Sequence, residues 1–398
     1  MVVGGTRPEA IKLSPVVERL ESLGADYLFV WSGQHYDYEM SRIFFDQLNL
    51  RKPDRNLDVG SGSHAEQTAR AMVAIERAIR DYGPSIVAAE GDTNTVAAAA
   101  LTSIKCLVPF AHIEAGLRSW NMTMPEEVNR KVADSISTLH FAPTKLAALN
   151  LLLEGVPTGG LHLTGNTIVD VIRKHSRLTG ELSGRLLSEL GLEEGGYMLI
   201  TIHRAENTDN PERLRRIAAG LRELSGRFRV VFPIHPRTRE RLAGLGLEGC
   251  LSGITTLGPM GYFEFLALLA NCLTVLTDSG GVQEEAFTLR IPTVTIRNET
   301  ERPETLTKGV NVLAGTETRR IVDTACRQAE SYSRIRSLKI ANPLGDGNAG
   351  RRIAEILVSS ASSNLAVSEH EPGNMIPLKS KRVDSQLMRA FNIRNSGA

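Results

Sequence analysis

The sequence holds only four cysteines, Cys106, Cys250, Cys272 and Cys326. None forms a C-x-x-C pair and none clusters with histidines, which excludes a disulfide frame and a cysteine-based zinc site and fits a reducing compartment. Excess charge is missing too. A net charge of +1 argues against nucleic acid as the main partner, while leaving room for a basic pocket that takes an anionic small molecule. No apolar run reaches membrane-spanning length and no secretory signal pattern opens the chain, so the cytoplasm is the expected location and no membrane partner is expected. What is present is ordinary: 398 residues, 42% hydrophobic and 23% charged, enough for about two globular cores.

Apolar, β-rich runs alternate with helical patterns nearly throughout. Strands are expected at residues 27–30, 86–89, 108–113, 161–163, 198–202, 230–234, 273–276 and 293–296. Between them, residues 65–80 carry Met72, Ile75 and Ile79 at steps of three and four, one apolar helical face. The strands read as continuous apolar runs, as parallel strands covered on both faces do. The pattern predicts an α/β chain of two Rossmann-like, doubly wound domains with a ligand cleft between them. The domains are expected at 1–166 and 167–345, with a hinge near 166–196, a last helix at 346–361, and a disordered or loosely attached tail at 362–398. Within that tail, residues 386–391 could form a turn or two of helix. The first strand has only Met1 to Val3 before its turn, against about five residues for a typical buried strand, which suggests a start further upstream.

Several motifs carry chemistry. The run HIEAGLRSWNMTMPEEVNR (112–130) gathers Glu114, Glu126 and Glu127 among His112, Arg118 and Arg130, and GDTNT (91–95) adds Asp92 at a strand end. Carboxylates at strand ends and helix starts suit proton transfer, although helix N-terminal acids and surface ion pairs give the same pattern. GGTRPEAIK (4–12) reads as a tight turn into a helix, where Arg7, Lys12 and the helix start form an anion site, or as a plain strand–helix turn with surface charges. DSGGVQEEA (278–286) leads from a strand through Ser279, Gly280 and Gly281 into a helix. The missing β-carbons would let a phosphate approach the backbone, and Glu284 or Glu285 could accept from ribose hydroxyls; a capped helix with first-turn acids is the alternative. Arg302 in ERPE (301–304) could reach the same diphosphate. TIHRAEN (201–207) sets His203 and Arg204 at a strand end facing the ligand crevice. His235, flanked by Pro233 and Pro236, reads as structural, as does the Gly-rich turn of NPLGDGNAGRRIAEIL (342–357).

Taken together, GTRPEAIK, SGQH (32–35), GDTNT, HIEAGLRS, MPEEVNR, TGNT (164–167), HRAEN, DSGGVQEEA, TERPE and NPLGDG resemble the non-hydrolysing UDP-N-acetylglucosamine 2-epimerases over roughly residues 4–360. The resemblance implies a fold similar to the two-domain GT-B glycosyltransferases, with the last helix crossing back onto the first domain. It implies interconversion of UDP-GlcNAc and UDP-ManNAc with no metal and no cofactor, in a homodimer as is usual for the family. The implied catalytic residues are Asp92, Glu114, Glu126 and His203. The implied substrate contacts are Arg7, Lys12, Ser279, Gly280, Gly281, Glu285 and Arg302, with a uracil-side loop from Met260 to Phe265. Members activated by UDP-GlcNAc carry Arg and Gln in the loop matching SGSH (61–64); those side chains are absent here, which speaks against activation of that kind. A C2 proton with no adjacent carbonyl is not acidic. Departure of UDP from C1 followed by loss of that proton, giving a 2-acetamidoglucal, makes inversion feasible. A GT-B glycosyltransferase or a related UDP-sugar epimerase is the alternative.

Overall fold

A computed structural model describes residues 1–33, 45, 48 and 50–363. Gln34 and His35 of the SGQH run, and the tail from residue 364 on, lie outside the described residues. The chain forms two compact units, one of Met1–Val171 with residues from Pro343 on, the other of Ile172–Asn342.

In the first unit, seven described strands form one sheet in the order β3-β2-β1-β4-β5-β6-β7. They are β1 (Val2–Gly4), β2 (Phe29–Trp31), β3 (Arg55–Asn56), β4 (Val87–Glu90), β5 (Phe110–Ile113), β6 (Leu139–Ala142) and β7 (Leu161–Leu163). All pairings are parallel. The three residues of β1 are fully buried and pair on both sides, with β2 and β4. The chain therefore reverses its direction of progress across the sheet between β1 and β4, the place where doubly wound folds bind ligands. The helix Ala349–Ser362 belongs to this unit. Its Gly350 packs so close to Pro15 of the helix Arg7–Ser22 that an added Cβ would sit 2.5 Å from the proline Cβ. The carboxylate of Asp170 accepts from the Ala349 and Gly350 N–H groups at 3.2 and 2.9 Å, capping the helix start.

The second unit repeats the plan in the order β10-β9-β8-β11-β12-β13, again all parallel. Its strands are β8 (Tyr197–Thr201), β9 (Arg229–Pro233), β10 (Ile254–Leu257), β11 (Thr274–Thr277), β12 (Thr293–Thr295) and β13 (Asn311–Leu313). Met198, Ile200, Val230, Phe232, Leu276 and Val294 form its core with Leu214, Ile217 and Leu221 of the helix Pro211–Ser225. The switch point lies between β8 and β11. Both units are thus Rossmann-like, as the apolar pattern predicts.

The expected strands all occur, shifted by one or two residues, and residues 65–80 lie inside the helix His64–Tyr82. Strands β3, β6, β10 and β13 are additions that the pattern does not show. They are short, and polar residues interrupt their apolar runs: in β6 His140 Nε2 meets the Asp134 carbonyl at 2.7 Å, and in β13 Asn311 Nδ2 donates to Gln283 at 3.0 Å. The charged, glycine-bearing stretch after residue 178 is mostly helix (Ser176–Leu190), closed by Gly191 in the left-handed conformation at φ 58°. Among the described residues, no helix is long and apolar enough to cross a membrane.

Candidate active site

In the first unit, the turns after β1, β4 and β5 meet at the switch point. Gly5 follows β1, and a Cβ there would lie 2.0 Å from the Ser32 hydroxyl, so only glycine lets this turn close. The turn opens the helix Arg7–Ser22, whose start was expected to hold a ligand anion. In the structure a carboxyl of the helix itself, Glu9, caps that start. Glu9 Oε2 accepts from the Gly5 and Thr6 N–H groups, both at 2.7 Å, and Glu9 Oε1 accepts from the Thr93 hydroxyl at 2.6 Å. Burial pushes the Glu9 carboxyl up to about 7, against the pull of those three donors.

Lys12 lies one turn further on. Its ammonium is buried and pairs with Glu114, and it lies 3.5 Å from Glu90 Oε1. It thus sits among carboxylates, because one turn into the helix its stem points at the ends of β4 and β5. Arg7 is exposed at the helix start. Glu114 is the residue after β5, and it accepts from Asn166 Nδ2 at 3.2 Å as well as from Lys12. Its φ is +70°, a left-handed conformation that costs an L-residue with a side chain about 1–2 kcal/mol. Such strain is found where a side chain must be aimed.

Asp92 follows β4, and its carboxylate pairs with Arg130. Its carbonyl accepts from Asn129 Nδ2 at 2.9 Å. Asn129 stands three residues after Glu126 on the helix Pro125–Ile136, hence on the same face, so Asp92 and Glu126 share one neighbourhood. Glu126 is partly exposed in the first turn of that helix, where the backbone dipole favours a carboxylate. The adjacent Glu127 is fully buried. It accepts from the Ser119 N–H at 2.9 Å, the Ser119 hydroxyl at 3.0 Å, the Trp120 N–H at 3.1 Å and Arg130 Nη2 at 2.7 Å. Burial opposes its charge, but these donors outweigh it and hold the carboxyl below its usual range.

Beneath this array lies a buried ionic pair. His112 Nδ1 meets Asp134 Oδ1 at 2.6 Å, and His112 Nε2 meets the Gly91 carbonyl at 2.7 Å. Asp134 also accepts from Arg118 Nη1 at 2.6 Å and the Gly116 N–H at 3.0 Å. Burial works against both charges. Even so, Asp134 raises the His112 pKa above its ordinary value, while His112 and Arg118 hold Asp134 down to about 2.

In the second unit, the turns after β8 and β11 are tied by a fully buried Asp278. Its carboxylate accepts from the His203 N–H at 3.1 Å, the Arg204 N–H at 3.0 Å and Asn207 Nδ2 at 3.1 Å. The His203 ring is 43% exposed, 3.7 Å from the same carboxylate. Ser279 is the N-cap of the helix Gly280–Leu289 and makes no side-chain cap, so the first N–H groups of the helix have no capping side chain. The two glycines differ. A Cβ on Gly280 would crowd Glu301 at 2.9 Å and Arg302 at 3.3 Å, whereas one on Gly281 would meet nothing closer than 4.0 Å. Open space thus adjoins the backbone at Gly281 and not at Gly280.

Arg302 is buried and donates from Nε to Glu284 at 2.8 Å, with Glu301 3.1 Å from Nη1. Glu301 in turn holds Arg204 at 3.2 Å and Arg297 at 2.9 Å. Glu284 is thus paired with Arg302. Glu285 is buried beside Tyr262, whose phenol is raised far above its ordinary pKa, first by burial and then by Glu285. Met260 and Phe265 are half-buried around the start of the helix Tyr262–Asn271. Sequence reasoning misses Glu90, Glu9, Asn166, Asp134 and the tie made by Asp278. The available signal was a charged residue ending or flanking an apolar strand, visible for Glu90 and Asp278. Among the described residues, no group of three His, Cys, Asp or Glu side chains could hold a metal ion.

The family model described as UDP-N-acetylglucosamine 2-epimerase matches residues 19–358. The UDP-N-acetylglucosamine 2-epimerase of Methanococcus maripaludis is 43% identical over 363 residues, covering 89% of this chain and 97% of that protein. The UDP-2,3-diacetamido-2,3-dideoxy-D-glucuronate 2-epimerase of Pseudomonas aeruginosa is 41% identical over 361 residues, covering 90% and 98%. A crystal structure of the Methanocaldococcus jannaschii UDP-GlcNAc 2-epimerase in complex with UDP-GlcNAc and UDP superposes with a TM-score of 0.82 at 41% identity, covering 90% of this chain and 99% of that one.

Proposed function

The chain belongs to the UDP-N-acetylglucosamine 2-epimerase family, and from that premise we propose that it interconverts UDP-GlcNAc and UDP-ManNAc through elimination and re-addition of UDP. The supporting observation is the carboxylate group of the first unit. Glu114 has a left-handed backbone and its carboxylate accepts from Lys12 and Asn166, with Asp92 and Glu126 sharing the face marked by Asn129. UDP leaves C1 and the C2 proton passes to one carboxylate, giving a 2-acetamidoglucal. Protonation at C2 on the opposite face and return of UDP to C1 complete the inversion. The open backbone at Gly281, in the uncapped first turn of the helix Gly280–Leu289, suits the diphosphate, since helix N-terminal N–H groups favour anions. Glu285 suits the ribose and His203 the departing diphosphate. The residues from Met260 to Phe265 suit the uracil. The enzyme works as a homodimer in the cytoplasm.

A second reading concerns the sugar. The relative that by name acts on a diacetamido glucuronate is nearly as similar as those named for UDP-GlcNAc. NMR of the purified protein with UDP-GlcNAc in D2O decides. UDP-ManNAc should appear and both isomers should gain deuterium at C2. Epimerisation with C2 hydrogen fully retained would overturn the elimination route. Turnover of the diacetamido sugar alone would favour the second reading, and transfer of the sugar to an acceptor would favour a glycosyltransferase.

A further inference from the structure

Glu90 ends β4, two residues before Asp92, and its side chain is 3% exposed. Its Oε1 lies 3.5 Å from Lys12 Nζ and has no hydrogen-bond partner. The same ammonium pairs with Glu114, which is also within hydrogen-bonding reach of Glu90. The charged groups acting on Glu90 are Lys12 and Glu9 from the helix Arg7–Ser22 and Glu114 from the turn after β5. One ammonium therefore serves a pocket of three carboxyls shielded from water. An extra buried negative charge there would cost several kcal/mol, and a proton held on one carboxyl removes that cost. Glu90 is the carboxyl that fits. Burial raises its pKa well above the ordinary range, Lys12 opposes this, and Glu114 and Glu9 add to the rise. Glu114, by contrast, accepts from both Lys12 and Asn166, partners that favour its ionised form.

We propose that Glu90 is a positioning residue that works as a neutral carboxylic acid, donating a hydrogen bond to Glu114 and, with Lys12 and Asn166, keeping that carboxylate aimed and ionised for proton transfer at C2. A carboxyl kept neutral by its surroundings is a good donor where a carboxylate would repel. The inference rests on the epimerase reading above.

The test compares the wild-type protein with Glu90→Ala and Glu90→Gln, following epimerisation of UDP-GlcNAc across neutral and alkaline pH and UDP affinity by calorimetry. Glu90→Ala should lower kcat about 100-fold, the usual effect of a misplaced reacting group, with UDP affinity kept. Glu90→Gln, whose amide can donate but cannot ionise, should recover most of that loss. Wild-type kcat should fall at alkaline pH as Glu90 ionises, and the Gln variant should lack that fall. A Gln variant no better than Ala, or one whose pH profile superimposes on the wild type, overturns the proposal. If the Ala variant does not fold, the Gln profile decides. A wild-type protein that neither epimerises nor exchanges C2 hydrogen sinks the epimerase reading instead; a wild type that epimerises beside variants that match it sinks only the role of Glu90.

Discussion

His112 and Asp134 lie 2.6 Å apart in the interior of the first unit, and the other ring nitrogen of His112 faces the Gly91 carbonyl at 2.7 Å. Both neighbours are acceptors, so both ring nitrogens must carry hydrogen and the ring is an imidazolium. It holds the carbonyl of the residue before Asp92, which joins a buried ion pair to the placement of a catalytic candidate.

Asp134→Asn should therefore destabilise the protein by roughly 3–5 kcal/mol, because it leaves His112 and Arg118 buried without their shared counter-charge. The sign with pH follows from both partners. The raised His112 contributes stability that is whole below its ordinary 6.5 and is lost as pH rises through its folded value. The depressed Asp134 contributes stability that is whole above 3.8 and is lost as pH falls through about 2. The gap between wild type and variant, read by urea unfolding, should be widest between those limits and narrow on either side. A gap independent of pH would count against the ion pair.

Glu126 and Glu127 are neighbours with opposite assignments. Glu127→Gln should lower stability by about 3 kcal/mol or more, since it weakens a fully buried pairing with Arg130. Glu126→Gln should cost less than about 1 kcal/mol of stability, the worth of a first-turn acid. Its turnover should nevertheless fall by about two to four orders of magnitude. Denaturant midpoints and a coupled assay on both variants separate the roles, and the reverse ranking would exchange them.

Glu9 gives a prediction of the same pH sense as His112 and opposite to Asp134. Its pKa is raised from 4.5 to about 7 by burial, so the folded protein holds this proton more tightly than the unfolded chain. The resulting penalty is absent below 4.5, grows as pH rises, and is complete above 7. Glu9→Gln should keep the acceptor for Gly5 and Thr6 while removing the ionisation. Its stability relative to wild type should rise with pH across that interval, by up to about 3 kcal/mol. Parallel stability curves for the two proteins would show that Glu9 does not titrate there.

In the second unit, Glu285→Ala should weaken UDP binding by roughly 1.5–3 kcal/mol, for a lost charge-assisted contact. Arg302→Ala should act twice. It removes a cation near the helix start and takes from the buried Glu284 its ion pair, while Glu301 keeps Arg204 and Arg297, so the unfolding midpoint should fall along with UDP affinity. Calorimetry beside thermal unfolding tests this. Weakened UDP binding at unchanged stability would place Arg302 on the ligand alone.

The parallel α/β plan was legible because strands buried on both faces are apolar along their whole length. Strands such as β6 and β13 were not, since they are short and carry the polar His140 and Asn311, whose hydrogen bonds to the Asp134 carbonyl and to Gln283 a run of apolar residues does not announce. The strand-end positions of Asp92, Glu114 and His203 were legible for the same topological reason. Which carboxylates are already committed was not. Glu9 fills the helix start, Lys12 turns to Glu114, and Glu284 turns to Arg302, each through a contact that depends on side-chain direction rather than on spacing.

The left-handed backbone at Glu114 has a consequence for anyone trying to make this protein hardier. Judged on comfort of the main chain, position 114 calls for glycine. A redesign guided by durability would be drawn to make that exchange. It would take one of its two carboxylate neighbours from the ammonium of Lys12 and erase a carboxylate proposed to handle the C2 proton. At this position robustness and reactivity pull toward different amino acids, and a screen that rewards only heat tolerance would drift toward an inert protein.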